Sequence, residues 1–233
     1  MPLFRLDPRF PELFPDPEIT RGDGPACFGG DLSPDRLFAA YRLGYFPWFS
    51  EGEPILWWHP DPRFVLFPDK LRVSKSMRPY FNQQKYTVRY DTNFRGVMEE
   101  CQKIFRPGQW GSWITEDLIE GYVALHELGL AHCVEVYEGE ELVGGLYGLA
   151  LGKVFFGESM FFTRPNASKF GFISLVRRLA ARGYRVIDCQ QETSHLKSLG
   201  GESVSRADFL DLLAPIDTEE TERGAWKAAD RRR

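Results

Sequence analysis

Cysteine, histidine and long apolar runs are all scarce in these 233 residues, and each scarcity removes a class of protein. The four cysteines (Cys27, Cys101, Cys133, Cys189) stand far apart with no C-x-x-C pair, so neither a disulfide framework nor a structural zinc site is expected. The four histidines (His59, His126, His132, His195) show no H-E-x-x-H spacing, and isolated histidines are more often packing or surface residues than ligands. The reading is no metal and no cofactor. No apolar run approaches the roughly 18 to 20 residues of a spanning helix. Five prolines in the first seventeen residues (Pro2, Pro8, Pro11, Pro15, Pro17) are incompatible with a signal-peptide helix. The sequence therefore predicts a soluble, cytoplasmic chain, and one long enough for a large domain with a small appendage.

Lysine and arginine are missing altogether from residues 107–152, which carry eight carboxylates, whereas residues 63–106 hold ten Lys/Arg against four Asp/Glu. One stretch suits a polyanion and the next a cation, although ordinary solvated faces account for the same bias. The net charge of −4 hides this alternation. The tail repeats it, with Asp217, Glu219, Glu220 and Glu222 followed by Arg231, Arg232 and Arg233, and reads as a disordered end.

What is present is punctuation. Ser33-Pro34-Asp35 is a helix start, with Ser at the N-cap, Pro at the first helical position and an acidic first turn; Leu37, Ala40 and Tyr41 mark its buried face and Gly44 its stop. Two aromatic clusters, around Trp48 and around Trp57-Trp58, fall on loops or short strands between proline turns. Strands are expected at 63–67 and 86–90 and helices at 92–104 and 115–128, the second with Thr115 as N-cap and Ile119, Tyr122, Val123 and His126 inward. A meander of antiparallel strands follows at 133–137, 142–151 and 153–162. A helix capped by Asn166 and burying Phe172, Ile173, Val176, Leu179 and Ala180 then leads to a strand at 184–190, a β-α-β step that implies parallel pairing. Short helices at 194–199 and 206–213 finish the chain.

A meander followed by a β-α-β step is the order of a GNAT-type acyltransferase core. A CoA enzyme of that class cradles pyrophosphate on a glycine-rich loop. Here the loop, residues 163–169, has no glycine and loses one amide to Pro165. A CoA donor is thereby disfavoured. Alternation along the strands puts Glu158 among Val154, Phe156, Met160 and Phe162, and Asp188 on one face with Val186 and Gln190. A carboxylate amid Phe and Met is costly to bury, so it is either paired or functional.

Nine motifs in register, among them Gly30-Asp31-Leu32-Ser33-Pro34, Phe46-Pro47-Trp48-Phe49, Gly111-Ser112-Trp113-Ile114-Thr115, His126-Glu127-Leu128-Gly129, Phe156-Gly157-Glu158-Ser159-Met160-Phe161, Asn166-Ala167-Ser168-Lys169 and Ile187-Asp188-Cys189-Gln190, resemble the leucyl/phenylalanyl-tRNA–protein transferase family over residues 26–213. The resemblance implies an α+β fold, with a small N-terminal α/β domain (1–62) packed on a GNAT-like acyltransferase domain (63–233) whose sheet is mixed and mainly antiparallel. It implies an aminoacyltransferase that moves Leu or Phe, with Met as a third candidate, from aminoacyl-tRNA to the N-terminal Arg or Lys of proteins. The product is thereby marked for N-end-rule degradation, and the chain is taken to act as a monomer away from membranes. A CoA-dependent acyltransferase and a non-catalytic tRNA-binding module are the alternatives.

Residue by residue, the match implies that Trp48 and Trp113 hold the 3′ adenosine, and that Leu146, Phe155, Met160, Phe172, Leu175 and Ile187 form the pocket for the aminoacyl side chain. Phe155 and Met160 share a pocket only if their strand bulges, near Gly157. Arg72, Lys75 and Arg78 are the expected tRNA contacts. Catalysis is assigned to Gln190, orienting the attacking amine, to Asp188, polarising Gln190 or taking the proton through water, and to Glu158, holding the cationic acceptor. Phe162-Thr163-Arg164-Pro165 departs from the family's usual Phe-Ser-Arg, and Leu130 stands where a His is usual.

Overall fold

Two sheets organise the chain, and the computed structural model describes residues 3–104 and 112–226; Pro2, Gly111 and the terminal Arg231, Arg232 and Arg233 lie outside the described residues. Helix α1 (Pro34–Arg42) begins as its sequence dictates, with the Ser33 hydroxyl accepting from the Arg36 backbone N–H and Pro34 at the first helical position. Leu37, Ala40 and Tyr41 are fully buried, and Gly44 ends the turn at φ +82°, where a Cβ is disfavoured. Around α1, strands β1 (Phe4–Leu6), β2 (Pro25–Gly29), β3 (Phe46–Pro47) and β4 (Leu56–Trp58) form a four-stranded sheet in the order β1-β2-β4-β3. The Pro-rich N-terminus has few ladder bonds of its own. It is held instead by the buried Arg36 guanidinium, which donates to the carbonyls of Asp7 (2.6 Å) and Phe10 (2.9 Å).

The second sheet has seven strands: β5 (Arg63–Leu66), β6 (Thr87–Tyr90), β7 (Ala131–Glu138), β8 (Glu141–Leu151), β9 (Val154–Phe162), β10 (Val186–Asp188) and β11 (Glu202–Val204), in the order β11-β5-β10-β9-β8-β7-β6. Within this sheet, among the described residues, only β9 and β10 run parallel, joined by the long helix α5 (Ala167–Ala181), and every other pairing is antiparallel. The fold is thus α+β, with the meander and β-α-β step in the expected order. Five further helices are used below: α2 (Arg78–Asn82), α3 (Phe94–Lys103), α4 (Glu116–Glu127), α6 (Ser194–Ser198) and α7 (Arg206–Leu213). No helix among the described residues is long and apolar enough to cross a membrane.

Strand alternation splits the core in two. Tyr147, Leu149, Phe156 and Phe161 join α1, α3, α4 and the N-terminal sheet in one cluster, which runs unbroken from Leu6 and Trp57 to Tyr122. Leu146, Ala150 and Phe155 face α5 in the other. The expected bulge is present. Tyr147 pairs with Ser159 and Gly148 with Gly157, leaving Glu158 as the extra residue of β9, so parity flips and Phe155 and Met160 reach the same cluster. Gly148 permits this: a Cβ there would stand 2.0 Å from the Phe156 carbonyl and 2.7 Å from the Phe155 ring. Gly148→Ala is expected to cost about 1 to 3 kcal/mol of stability. The check is a lowered urea midpoint at unchanged m-value.

Several local expectations are corrected. The strand expected at 184–190 is only Val186–Asp188, because Gln190 adopts φ +63° and turns the chain out of the ladder. Asn166 occupies the N-cap of α5 but makes no capping bond; it is left-handed, and its Nδ2 donates to the Tyr80 hydroxyl (3.1 Å). On α4 the buried positions are Leu118, Ile119, Tyr122 and Leu125, with Val123 and His126 half-buried, and Ala180 of α5 is exposed. The tail up to Trp226 is packed rather than free. Glu219 pairs with Arg185 (2.6 Å), Glu222 with Arg182, and Trp226 stacks on His132 at 3.9 Å.

Candidate active site

The bulge, the end of β10 and two tryptophan loops converge on one cavity of about 530 Å³. Trp48 leaves β3 and is set by its backbone, whose carbonyl accepts from the Trp58 indole N–H at 2.7 Å. Trp113 arrives from a distant segment, just before Thr115 caps α4. Both rings line the cavity, as do Met160, Phe172 and Leu146. Its lining is therefore aromatic and apolar, with a few polar groups at fixed places, the usual build of a small-ligand site.

Two of those polar groups are Glu158 and Gln190. The bulge swings Glu158 toward α1 and α4, where the Tyr41 and Tyr122 hydroxyls are hydrogen-bonded to each other and lie close enough to act on its carboxyl. Burial pushes the Glu158 carboxyl up to about 7 and the nearby Asp188 charge adds to this; the two tyrosine hydroxyls and Arg63 oppose it. Gln190 Nε2 donates to Glu158 Oε1 at 2.8 Å. With its amide N–H so engaged, the Gln190 carbonyl oxygen is the acceptor left to the cavity.

Asp188 does something other than expected. Alternation places it on one strand face with Gln190, to polarise that amide or take the proton through water. Instead its carboxylate is fully buried, away from the cavity wall. It grips Arg63 bidentately, Nε to Oδ1 at 2.8 Å and Nη2 to Oδ2 at 2.6 Å, and accepts the Gln190 backbone N–H at 2.9 Å. The left-handed Gln190 reverses the parity that alternation assumes, so the two side chains part. This geometry suits a positioning role, with Asp188 holding the turn that carries Gln190. Arg63 is locked in turn between the Phe46 and Phe209 rings, 4.8 and 4.6 Å from their centroids.

Three of the six residues expected to form the side-chain pocket lie on the cavity. Leu146, Met160 and Phe172 line the cavity, whereas Phe155, Leu175 and Ile187 are buried in the cluster they share with α5. They support the wall rather than form it. Arg72, Lys75 and Arg78 are exposed and none of them lines the cavity; the Arg72 backbone N–H donates to Leu199 O at 2.8 Å, and Leu199 follows α6, whose His195 and Leu196 do line it.

Sequence reasoning missed four residues. Tyr41 and Tyr122 read as packing residues, and the signal was there: a phenol on a buried helix face usually seeks a polar partner. Arg63, at the start of β5, carried no hint of a partner 125 positions away. His195 lines the cavity with its Nε2 unpartnered, and burial with the Lys169 charge keeps its pKa below the usual value; nothing in the spacing marks it.

The sequence matches the family profile described as Leucyl/phenylalanyl-tRNA protein transferase over residues 65–214, and that of the same family's N-terminal domain over residues 30–61. A Myxococcus xanthus protein named leucyl/phenylalanyl-tRNA–protein transferase is 53% identical over 226 residues, 97% of each chain. One of the same name from Maridesulfovibrio salexigens is 51% identical over 216 residues, 92% of this chain and 90% of that one. Among solved structures, L-PGS from Bacillus licheniformis aligns with a TM-score of 0.39 at 12% identity over 55% of this chain and 45% of that one. With both regions of the profile matched in order, and more than half of all positions shared with a relative along almost its entire length, the chain belongs to the leucyl/phenylalanyl-tRNA–protein transferase family.

Proposed function

We propose that this protein moves Leu or Phe, with Met as a third donor residue, from aminoacyl-tRNA to the N-terminal Arg or Lys of a protein, marking it for N-end-rule degradation. The observation that carries the reading is the 2.8 Å bond between Gln190 Nε2 and Glu158 Oε1, inside a cavity walled by Trp48, Trp113 and Met160. It joins an anchor for a cation to an acceptor for an amine N–H, beside rings suited to a base and an apolar slot suited to a side chain. In this reading the N-terminal domain (1–62) supplies one stacking ring, Trp48, and the catalytic domain (63–233) the other, Trp113. The 3′ adenosine lies against these rings, the aminoacyl side chain against Leu146, Met160 and Phe172, and the tRNA body along Arg72, Lys75 and Arg78.

The chemistry is ester aminolysis, which runs downhill from ester to amide. The acceptor's α-amine attacks the ester carbonyl carbon; a C–N bond forms, the C–O bond to the ribose breaks, and the amine proton ends on the ribose oxygen. An α-amine has a pKa of about 7.7 to 8.0, so a useful fraction is neutral at pH 7 and placement matters more than strong base catalysis. Gln190 accepts an N–H of the amine through its side-chain carbonyl. An amide is too weak a base to take the proton outright. Glu158 pairs with the cationic side chain of the acceptor.

This pairing gives a pH signature. A bound cation favours the charged carboxylate, so below pH 7 the acceptor must displace a proton from Glu158 and binds less well. KM for an Arg-initiated peptide is therefore expected to fall as pH rises through about 7. In Glu158→Gln that limb vanishes, while the rise of kcat with deprotonation of the peptide amine persists. A KM limb unchanged in the variant would remove Glu158 from acceptor binding.

The direct test is transfer of radiolabelled leucine from leucyl-tRNA to peptides beginning with Arg or Ala, with isoleucyl-tRNA as a second donor. Label on the Arg peptide alone, from leucyl-tRNA alone, is the expected result. No transfer from intact leucyl-tRNA would reject the reading.

A further inference from the structure

The aromatic lining of the cavity does not stop at the two tryptophans. Among the described residues, two aromatic side chains stand out among the large exposed hydrophobic groups, Phe10 and Phe162. Of these, Phe162 alone lies on the cavity, at 57% exposure. It stands at the last position of β9, where the sequence departs from the motif around it. Its placement follows from the bulge. Beyond Glu158 the strand alternates regularly, so Met160 and Phe162 share a face, on the side of the sheet that α5 covers, about 7 Å apart along the strand.

Gly144 faces Phe162 across the ladder, and a Cβ there would stand 2.8 Å from Ala167 Cβ. The first turn of α5 thus sits directly on the sheet beside the Phe162 ring, and its Ser168 lines the same cavity. Positive charge lies on this side as well. Lys169 follows Ser168 in the first turn of α5, and its charge acts on His195, which lines the cavity. The acidic floor of the cavity belongs to the opposite face of β9, where Glu158 meets Tyr41 and Tyr122. An exposed ring beside the helix turn that carries Lys169, and on the face turned away from the carboxylate, matches the pairing of stacking platform and positive charge by which proteins hold single-stranded nucleic acid.

We infer that Phe162 is a second base-stacking subsite: it takes the base of the penultimate nucleotide of the donor's single-stranded 3′ end, one step out from the terminal adenosine. The inference rests on the proposed donor reading, and a ladder of donors separates the two. Leucyl-tRNA, leucyl-CpA and leucyl-adenosine carry the whole acceptor end, two nucleotides and one.

In Phe162→Ala, donor KM is expected to rise about five- to hundredfold for leucyl-tRNA and leucyl-CpA. It should stay within about twofold for leucyl-adenosine, with kcat and peptide KM unchanged, and Phe162→Trp should restore the wild-type values. An equal loss with all three donors would place Phe162 on the terminal adenosine and overturn the subsite. A rise in peptide KM alone would assign the ring to the acceptor chain, and unchanged constants throughout would leave it no role; either outcome rejects the inference with the donor reading intact. Failure of the unsubstituted protein to transfer from any of the three donors would reject both.

Discussion

Replacing Gln190 with alanine is expected to lower transfer to an Arg-initiated peptide at least about tenfold, with the loss in kcat and little change in donor KM. The side chain is tied to Glu158 through Nε2, so its carbonyl oxygen has one orientation. Losing it leaves the amine to sample poses in which its lone pair misses the ester carbon. Glu158→Ala should cost a similar factor by a different route, through acceptor KM, because the cation then has no counter-charge. Crossing the two variants distinguishes a shared unit from independent contributions: because the residues contact each other, the double variant should lose less than the product of the single effects. Near-full activity in both single variants would remove these residues from the chemistry.

The largest expected effect on folding belongs to Asp188. Both it and Arg63 are wholly shielded from solvent, so Asp188→Leu leaves a buried guanidinium without its counter-ion. Removing one partner of such a pair costs about 3 to 5 kcal/mol, a large share of a domain's net stability. A structural role alone would explain that loss, so a paired variant is needed. Arg63→Met with Asp188→Leu removes both charges and should recover most of the stability. Activity should not return, because the acceptor for the Gln190 N–H at 2.9 Å is still gone. Arg63→Met with Asp188→Asn retains an oxygen for that N–H, and kcat should recover in part. Equal activity in the two double variants would reject the positioning role of Asp188; thermal unfolding and steady-state kinetics on the same preparations supply both readings.

These expectations show what kind of information each level carries. Caps and periodicity placed α1 and α4 nearly to the residue, because Ser33 and Thr115 act on amides three positions away. The same local logic failed at Gln190. Alternation holds only while φ stays extended, and one left-handed residue sent Asp188 into the core and Gln190 into the cavity. Alternation also failed at Glu158 in a form that could be anticipated, since placing Phe155 and Met160 together demanded a bulge. Its position one residue after Gly157 emerged only from pairing with β8.

By itself the sequence determined the family, through motifs whose order and gaps survive without coordinates, and most of the helices and strands, through contacts within a few residues. Tertiary structure alone decided the division of labour at the site. The Arg63–Asp188 grip, the Tyr41–Tyr122 hydroxyl pair beside Glu158 and the meeting of Trp48 with Trp113 each join segments far apart in the chain. The identity of a residue states what it can donate or accept. Which partner it meets, and whether water reaches it, depends on chain segments that its own neighbours in sequence do not specify.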